Sequence, residues 1–255
     1  MSLTYGPVVE LGDMDDPKLK YIAYLESSYL FHGLERAVLE EIATHARLRR
    51  VQAGAYFFHQ GDPAAVLYVL SAGRVKFTQV TPEGHSVLLR VIAPGEMFGT
   101  VAALGDAYHP ASGEAAVSSA ALAWNSATIR RLMERHPRLA LNALRFLAGR
   151  LAEFQDRYRE LATQRVERRV AHALLRLVRT VGRAVDGGVM IDLALSRQDI
   201  AEMSGTTLFT ASRIMSGWES RGIIKTEHAR ILVIESEQVE AIAEDRPLVE
   251  GEKLD

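Results

Sequence analysis

SRQDIAEMSGTTLFTASRIM, residues Ser196–Met215, reads as two short helices joined by a tight turn. Ser196 stands where a helix N-cap belongs, and Asp199, three residues on, is the acidic half of a capping box. Ile200, Ala201 and Met203 give the first helix an inward face. Gly205 falls in the turn, where a left-handed backbone or a close approach disfavours a side chain. Thr206 or Thr207 caps the second helix, whose expected buried stripe is Ala211, Ile214 and Trp218. The following GIIKTEHARILVIE predicts a β-hairpin that pairs Ile223–Thr226 with Ile231–Ile234. Helix, glycine turn, helix and hairpin in that order make a winged helix-turn-helix.

Charge sharpens this reading. The 255-residue chain carries a formal net charge of -2, which is unlike a polyanion binder, whose affinity comes mostly from Lys and Arg. From Arg165 to Arg230, however, eleven Arg or Lys residues (165, 168, 169, 176, 179, 183, 197, 213, 221, 225, 230) face seven Asp or Glu (167, 186, 192, 199, 202, 219, 227), a surplus of +4. One surface of this stretch is therefore expected to meet a polyanion while the rest of the chain carries the acid.

Upstream, RRVAHALLRLVRTVG supplies one amphipathic helix ending at Gly182, and AVDGGVMIDLAL a short turn and strand. Before these, in NALRFLAGRLAEFQDRYRELATQRV, the residues Leu144, Leu147, Leu151, Phe154, Tyr158 and Leu161 alternate spacings of three and four. That is an a/d seam on one long helix, flanked by Arg145, Arg150, Arg157 and Arg159, so much of the helix reaches solvent. A seam of this kind needs a partner, and the same helix of a second copy, giving a parallel homodimer, is the expected one.

Further upstream the period changes. AGAYFFHQGDPAAVLYVLSAGRVKFTQVTPEGHSVLLRVIAPGEMFG has short apolar runs, notably Val66–Leu70 and Val87–Ile92, punctuated by Gly54, Gly61, Gly73, Gly84 and Gly95. This is the rhythm of an antiparallel sandwich or barrel, with helical patterns at Leu25–Ala46 and Ser126–His136 on either side. The domain expectation is 1–136 for a sensory sandwich, 137–163 for the dimerisation helix and 164–255 for the winged helix-turn-helix, with an acidic tail that is loose from Arg246.

Composition sets outer bounds. An apolar fraction of 48% supports a sizeable core. No run of 18 apolar residues appears, and the opening MSLTYGPVVELGDMDD lacks the basic-then-apolar order of an export signal. A cytoplasmic protein without membrane partners is expected. The absence of cysteine excludes disulfides and cysteine-held iron-sulfur clusters.

The segments AGAYFFHQGD, VLYVLSAGRVKF, VIAPGEMFG and SRQDIAEMSGTTLFTASRIMSGWESRGII, in this order with the seam between them, resemble the CRP/FNR superfamily of bacterial transcription regulators, from about Leu25 to Ile242. The resemblance implies an α+β chain: an N-terminal cyclic-nucleotide-binding-like β-sandwich of jelly-roll type, a long dimerisation helix and a C-terminal winged helix-turn-helix. It further implies a sequence-specific regulator that binds a palindromic operator as a homodimer, with RNA polymerase as a further partner. By the family pattern, Leu208, Phe209, Ser212 and Arg213 face the bases and Arg197, Gln198 and Thr207 position phosphates, with Thr210 also in the DNA-binding set. The guanidinium of Arg213 suits guanine O6 and N7; its bland alternative is a surface pair with Glu219 or a phosphate. Phe209 departs from the pattern, since many relatives have a glutamate there that accepts from cytosine N4. Phenylalanine can only contact a thymine methyl or pack, so the half-site should differ from the best-known ones.

The same resemblance places an effector pocket around Arg90, Phe98, Gly99, Thr100, Val101, Leu104, Ser112 and Gly113. Cyclic-nucleotide members follow Phe-Gly with a glutamate for the ribose and an arginine further on for the phosphate. Here Thr100 replaces that glutamate and no Lys or Arg occurs between Gly99 and Arg130, so cyclic AMP is not the expected effector. The pair His109–Pro110 resembles the branch of oxygen and nitric-oxide regulators, some of which bind haem; His59, His85 or His109 would then be the axial ligand, although a surface or hydrogen-bonded role suits each. Haem stays open, as do an uncharged organic ligand and no effector at all.

Two rival classes share part of this pattern. A cupin-like enzyme shares the glycine rhythm but needs clustered metal ligands, and His85 in GHSVLLRV has no histidine partner; no Ser-His-Asp grouping or phosphate loop appears, so catalysis and a metal site are not expected. A ligand-binding module that docks a protein and never touches DNA is the other.

Overall fold

The computed structural model describes residues 17–100, 102, 107–227 and 229–247. Val101 and Leu104 of the expected pocket, and the tail from 248, lie outside them. The chain divides into two compact units, one of residues 1–80 and 92–155 and the other of residues 81–91 and 156–255.

The first unit begins with α1 (Pro17–Ser27), a 3-10 turn (Tyr29–Phe31) and α2 (Arg36–Thr44). The strands follow in chain order: β1 (Arg47–Val51), β2 (Tyr56–Phe58), β3 (Val66–Ala72), β4 (Val75–Val80), β5 (Ser86–Ile92), which up to Val91 counts with the second unit, β6 (Met97–Phe98), β7 (Ser112–Ala115) and β8 (Ser119–Asn125). They form two four-stranded sheets, ordered β1-β8-β3-β6 and β2-β7-β4-β5. Alternation explains why β3 reads as a continuous apolar run. Tyr68 and Leu70 face the sandwich core with Phe57, Phe58, Val75 and Phe98, while Leu67 and Val69 face a second core with Leu30, Phe31, Ile42 and Trp124. The β1-β8-β3-β6 sheet is thus covered on both faces, by the other sheet and by helices. Its helical cover includes α3 (Ser126–Arg135) and the first half of α4 (Pro137–Thr163), whose Leu139 and Phe146 join the second core.

In the second unit, α5 (Val166–Val181) leads into β9 (Gly182–Val185) and β10 (Gly188–Ile191), then α6 (Arg197–Ser204), α7 (Leu208–Ser220), β11 (Ile224–Glu227), β12 (Arg230–Val233) and α8 (Ser236–Glu244). The expected wing hairpin is present, one residue shifted, as β11–β12. It is not alone: β12 pairs with β10, so the hairpin β9–β10 extends the wing into a four-stranded sheet ordered β11-β12-β10-β9. One helical stripe also differs from expectation. Met215, 1% exposed, replaces Ile214 beside buried Ala211 and Trp218, because the i,i+4 choice rather than i,i+3 points at the core formed with α5 and α6.

Candidate nucleic-acid interface

Local chemistry fixes the two helices of the motif. Ser196 Oγ accepts from the Asp199 amide at 3.1 Å, and the Asp199 carboxylate accepts from the Ser196 amide at 2.7 Å, closing a capping box. Gly205 ends α6 in the left-handed region at φ 61°, and a Cβ there would collide with Leu161. Thr207 caps α7 by accepting from the Thr210 amide at 3.2 Å, and the two threonine hydroxyls bond each other at 3.0 Å.

With Ala211, Met215 and Trp218 buried, the opposite side of α7 is bare: Leu208 is 48% and Phe209 78% exposed. Arg213 is exposed on this side, and no hydrogen bond or ion pair engages its guanidinium among the described residues. Its expected alternative partner is taken. Glu219 accepts from Arg197 at 2.8 Å, and Arg197 also donates to the Ser212 carbonyl at 2.7 Å and to Ser216 Oγ at 2.8 Å. Arg197 therefore ties the start of α6 to the length of α7, and its guanidinium is engaged within the fold. Gln198 is exposed and donates to Glu202 at 3.0 Å; Glu202 also accepts from the Leu88 amide at 2.9 Å within the same unit.

Two further residues support the motif without having been singled out in the sequence. Arg169 of α5 donates to the carbonyls of Ser204 and Gly205, at 2.9 and 3.0 Å, satisfying acceptors that the end of α6 leaves without helical partners. Glu167 accepts from the Trp218 indole at 2.9 Å and so fixes the roll of α7. Only a basic or acidic residue in an amphipathic helix marked them, a signal shared with many neighbours. On the wing, Lys225 and Arg230 are paired with Glu227 and Asp192.

Along α4 the expected seam residues stay bare in the single chain: Leu144 63%, Leu147 42%, Leu151 58%, Phe154 66%, Tyr158 68% and Leu161 52% exposed. In the first unit, Arg150 lies between them in sequence and pairs with the buried carboxylate of Glu96 at 2.6 Å, its guanidinium over the Phe146 ring. Glu96 also accepts from the Ala93 amide at 3.0 Å, so the segment leading to β6 is tied to the seam helix.

That segment ends at the expected pocket. Phe98 and Gly99 are buried, and a Cβ on Gly99 (φ 68°) would meet the Val66 carbonyl at 2.7 Å. Ser112 Oγ is occupied by the Gln60 amide at 2.9 Å, and Gly113 lies against Phe58. Arg90 and Thr100 are half-buried. Of the three histidines, His59 and His85 are exposed, whereas His109 is buried with its ring stacked on Phe58 at 3.7 Å. Burial lowers its pKa, with Asp62 opposing weakly. Phe58, Tyr68 and Phe98 close around this core at centroid separations of 5.0–6.1 Å, an arrangement that does not fit a haem plane beside His109.

Among the described residues, no helix is long and apolar enough to cross a membrane and no group of three metal-binding side chains occurs.

Comparison with known proteins agrees with this architecture. Residues 48–136 match the cyclic nucleotide-binding domain family and residues 168–242 the Crp-like helix-turn-helix domain family. The chain is 25% identical over 210 residues to the CRP-like cAMP-activated global transcriptional regulator of Mycobacterium tuberculosis, covering 82% of this chain and 94% of that one. It is 28% identical over 219 residues to the cyclic AMP receptor protein of Thermus thermophilus, covering 86% and 98%. A crystal structure of a CRP/FNR-family transcriptional regulator from Thermus thermophilus superposes with a TM-score of 0.67 at 25% identity, over 79% of this chain and all of that one. With a sandwich, a long helix and a winged helix-turn-helix in this order, the chain belongs to the CRP/FNR superfamily of DNA-binding bacterial transcription regulators.

Proposed function

We propose that two copies of this chain bind a palindromic operator as a homodimer, with α7 as the recognition helix and residues 1–136 as the sensory domain. The observation that carries the reading is the bare stripe on α4. Six large apolar side chains on one face of a helix, 42–68% exposed, are costly in water and are relieved by an identical stripe related by a two-fold axis. Residues 137–163 then form the dimer seam, and the two heads of residues 164–255 face successive major grooves about 34 Å apart.

On each head Arg213 reads guanine, and Leu208, Phe209 and Ser212 complete the base-facing surface. Gln198, Thr207 and Thr210 position the backbone, while Arg197 braces the two helices from within. The pocket set Arg90, Phe98, Gly99, Thr100, Val101, Leu104, Ser112 and Gly113 takes an uncharged organic effector. The relatives' names include cyclic AMP, but residues 100–129 of this chain supply no Lys or Arg for a cyclic phosphate. The Glu96–Arg150 pair would carry a change in that region to the seam; such a ligand shifts the two states only by its difference in affinity for them. RNA polymerase is the further partner, the cytoplasm the location, and there is no catalysis.

Anisotropy titration of labelled genomic duplexes at several salt concentrations tests this. The expected result is tight binding to a subset of duplexes that weakens steeply with salt, as phosphate neutralisation requires. Equal affinity for every duplex, or none, would contradict it.

A further inference from the structure

The front of α7 carries a more specific reading, which rests on the DNA-binding function proposed above. Phe209 has the greatest exposure of the large apolar side chains among the described residues, at 78%. At about 3.6 residues per turn it stands roughly 180° around α7 from Trp218. The register that buries the indole therefore turns the phenyl ring outward. Leu208 lies beside it. Neither side chain finds enough of its own fold to cover it.

The polar groups nearby are largely committed. Thr207 and Thr210 bond each other, the Ser212 carbonyl and Ser216 Oγ serve Arg197, and the Glu219 carboxylate is paired with the same guanidinium. Among the described residues, no carboxylate on this front is left to accept from cytosine N4 or adenine N6. What remains for base edges is chiefly a phenyl ring, an isobutyl group, the Ser212 hydroxyl and the Arg213 guanidinium. A guanidinium matches guanine O6 and N7. The apolar pair has one counterpart in the major groove, the C5-methyl group of a pyrimidine.

We propose that Leu208 and Phe209 form a methyl-reading site for the C5-methyl of a pyrimidine, next to a guanine held by Arg213. Thymine carries that methyl in every duplex, and 5-methylcytosine presents the same group at the same position. Cytosine methylation at the contacted step is then read as a gain in affinity. The polar remainder of the base pair is not read by these two side chains.

The test uses the full-length protein and a symmetric duplex that it binds. Uracil replaces thymine at each half-site position in turn, removing the methyl and leaving every hydrogen-bonding group. At the contacted position the expected loss is about fourfold per half-site and about sixteenfold for both, equivalent to about 0.8 kcal/mol per methyl. Phe209→Ala binds the thymine duplex more weakly and no longer distinguishes thymine from uracil, whereas Arg213→Ala keeps the distinction. In a second arm a cytosine·guanine pair at that step is compared with its 5-methylcytosine form; tighter binding of the methylated duplex, lost in Phe209→Ala, shows that the modified base serves as well as thymine.

Equal binding of thymine and uracil duplexes at every position overturns the methyl site while leaving DNA binding intact. So does a Phe209→Ala variant that weakens both duplexes equally, which would assign the ring to the DNA backbone or to a wedge between bases. Failure to bind any duplex sinks instead the function on which the inference rests. Because Phe209 is exposed, its truncation leaves the fold intact, and an unchanged melting curve verifies this.

Discussion

Replacing Phe154 at the middle of the α4 stripe tests the seam quantitatively. Its side chain is 66% exposed in the single chain. Complete burial of a phenyl side chain stabilises by about 1.5–3 kcal/mol, so covering the exposed two-thirds contributes about 1–2 kcal/mol per copy and about 2–4 for a symmetric pair. At about 1.4 kcal/mol per decade, Phe154→Ala weakens dimerisation roughly 30- to 800-fold. Phe154→Asp adds a carboxylate between Leu151 and Tyr158, with its symmetry mate facing it, and unpaired charge in an apolar seam costs several kcal/mol more. The expected weakening is about a thousandfold or greater, with the loss of DNA affinity that follows when two heads no longer act together. Sedimentation equilibrium over a concentration series reads the dimer constant, and circular dichroism shows that the single chain still folds. A Phe154→Asp protein whose dimer constant stays within threefold of the parent would refute the reasoning, as would undiminished affinity for a palindromic duplex.

Other outcomes follow from individual contacts. Arg213→Ala should lose about 1–3 kcal/mol of discrimination at one base position, read by competition among single-base variants of the bound duplex, without a change in melting temperature. Arg197→Ala should lower the melting temperature and weaken all duplexes alike, because it frees α7 from α6 rather than removing a base contact. Glu96→Ala removes the buried partner of Arg150, which keeps its pair with Glu153 at 2.7 Å, and takes the carboxylate acceptor from the Ala93 amide; it should destabilise by about 1–3 kcal/mol in denaturant titration. Stability should also fall with pH. Burial holds the pKa values of His109 and His172 below the ordinary histidine value, so the unfolded chain binds more protons below about pH 6.5. Stability declines from there until the folded-state values are passed. His109→Phe, which keeps a ring against Phe58, should make the decline shallower.

What was legible in the sequence is what local chemistry decides. Ser196, Asp199, Gly205 and Thr207 announce two helix starts and a left-handed turn because capping involves residues within three positions of one another. The apolar stripe along α4 was legible from spacing alone, and its six side chains are exposed in the single chain. Long-range choices were not. Ile214 and Met215 both fit a helical stripe, and only packing against α5 and α6 selects Met215. The pairing of β10 with β12, which joins two hairpins into one sheet, depends on residues some forty positions apart in sequence. The position of Arg197 suits a phosphate contact, but that its guanidinium also bonds Ser212, Ser216 and Glu219 is visible only in the assembled helix pair. In the sandwich, glycine rhythm gave the architecture but not the burial of Glu96 with Arg150, since an acid on one element and a base on another carry no common local signal.

The most direct measurement is selection of bound sequences from a randomised duplex pool by the full-length protein, followed by sequencing. The account predicts an enriched inverted repeat with guanine in each arm and half-site centres one helical turn, about 10 base pairs, apart. Enrichment of a single unrepeated motif, or of no motif at all, would contradict it.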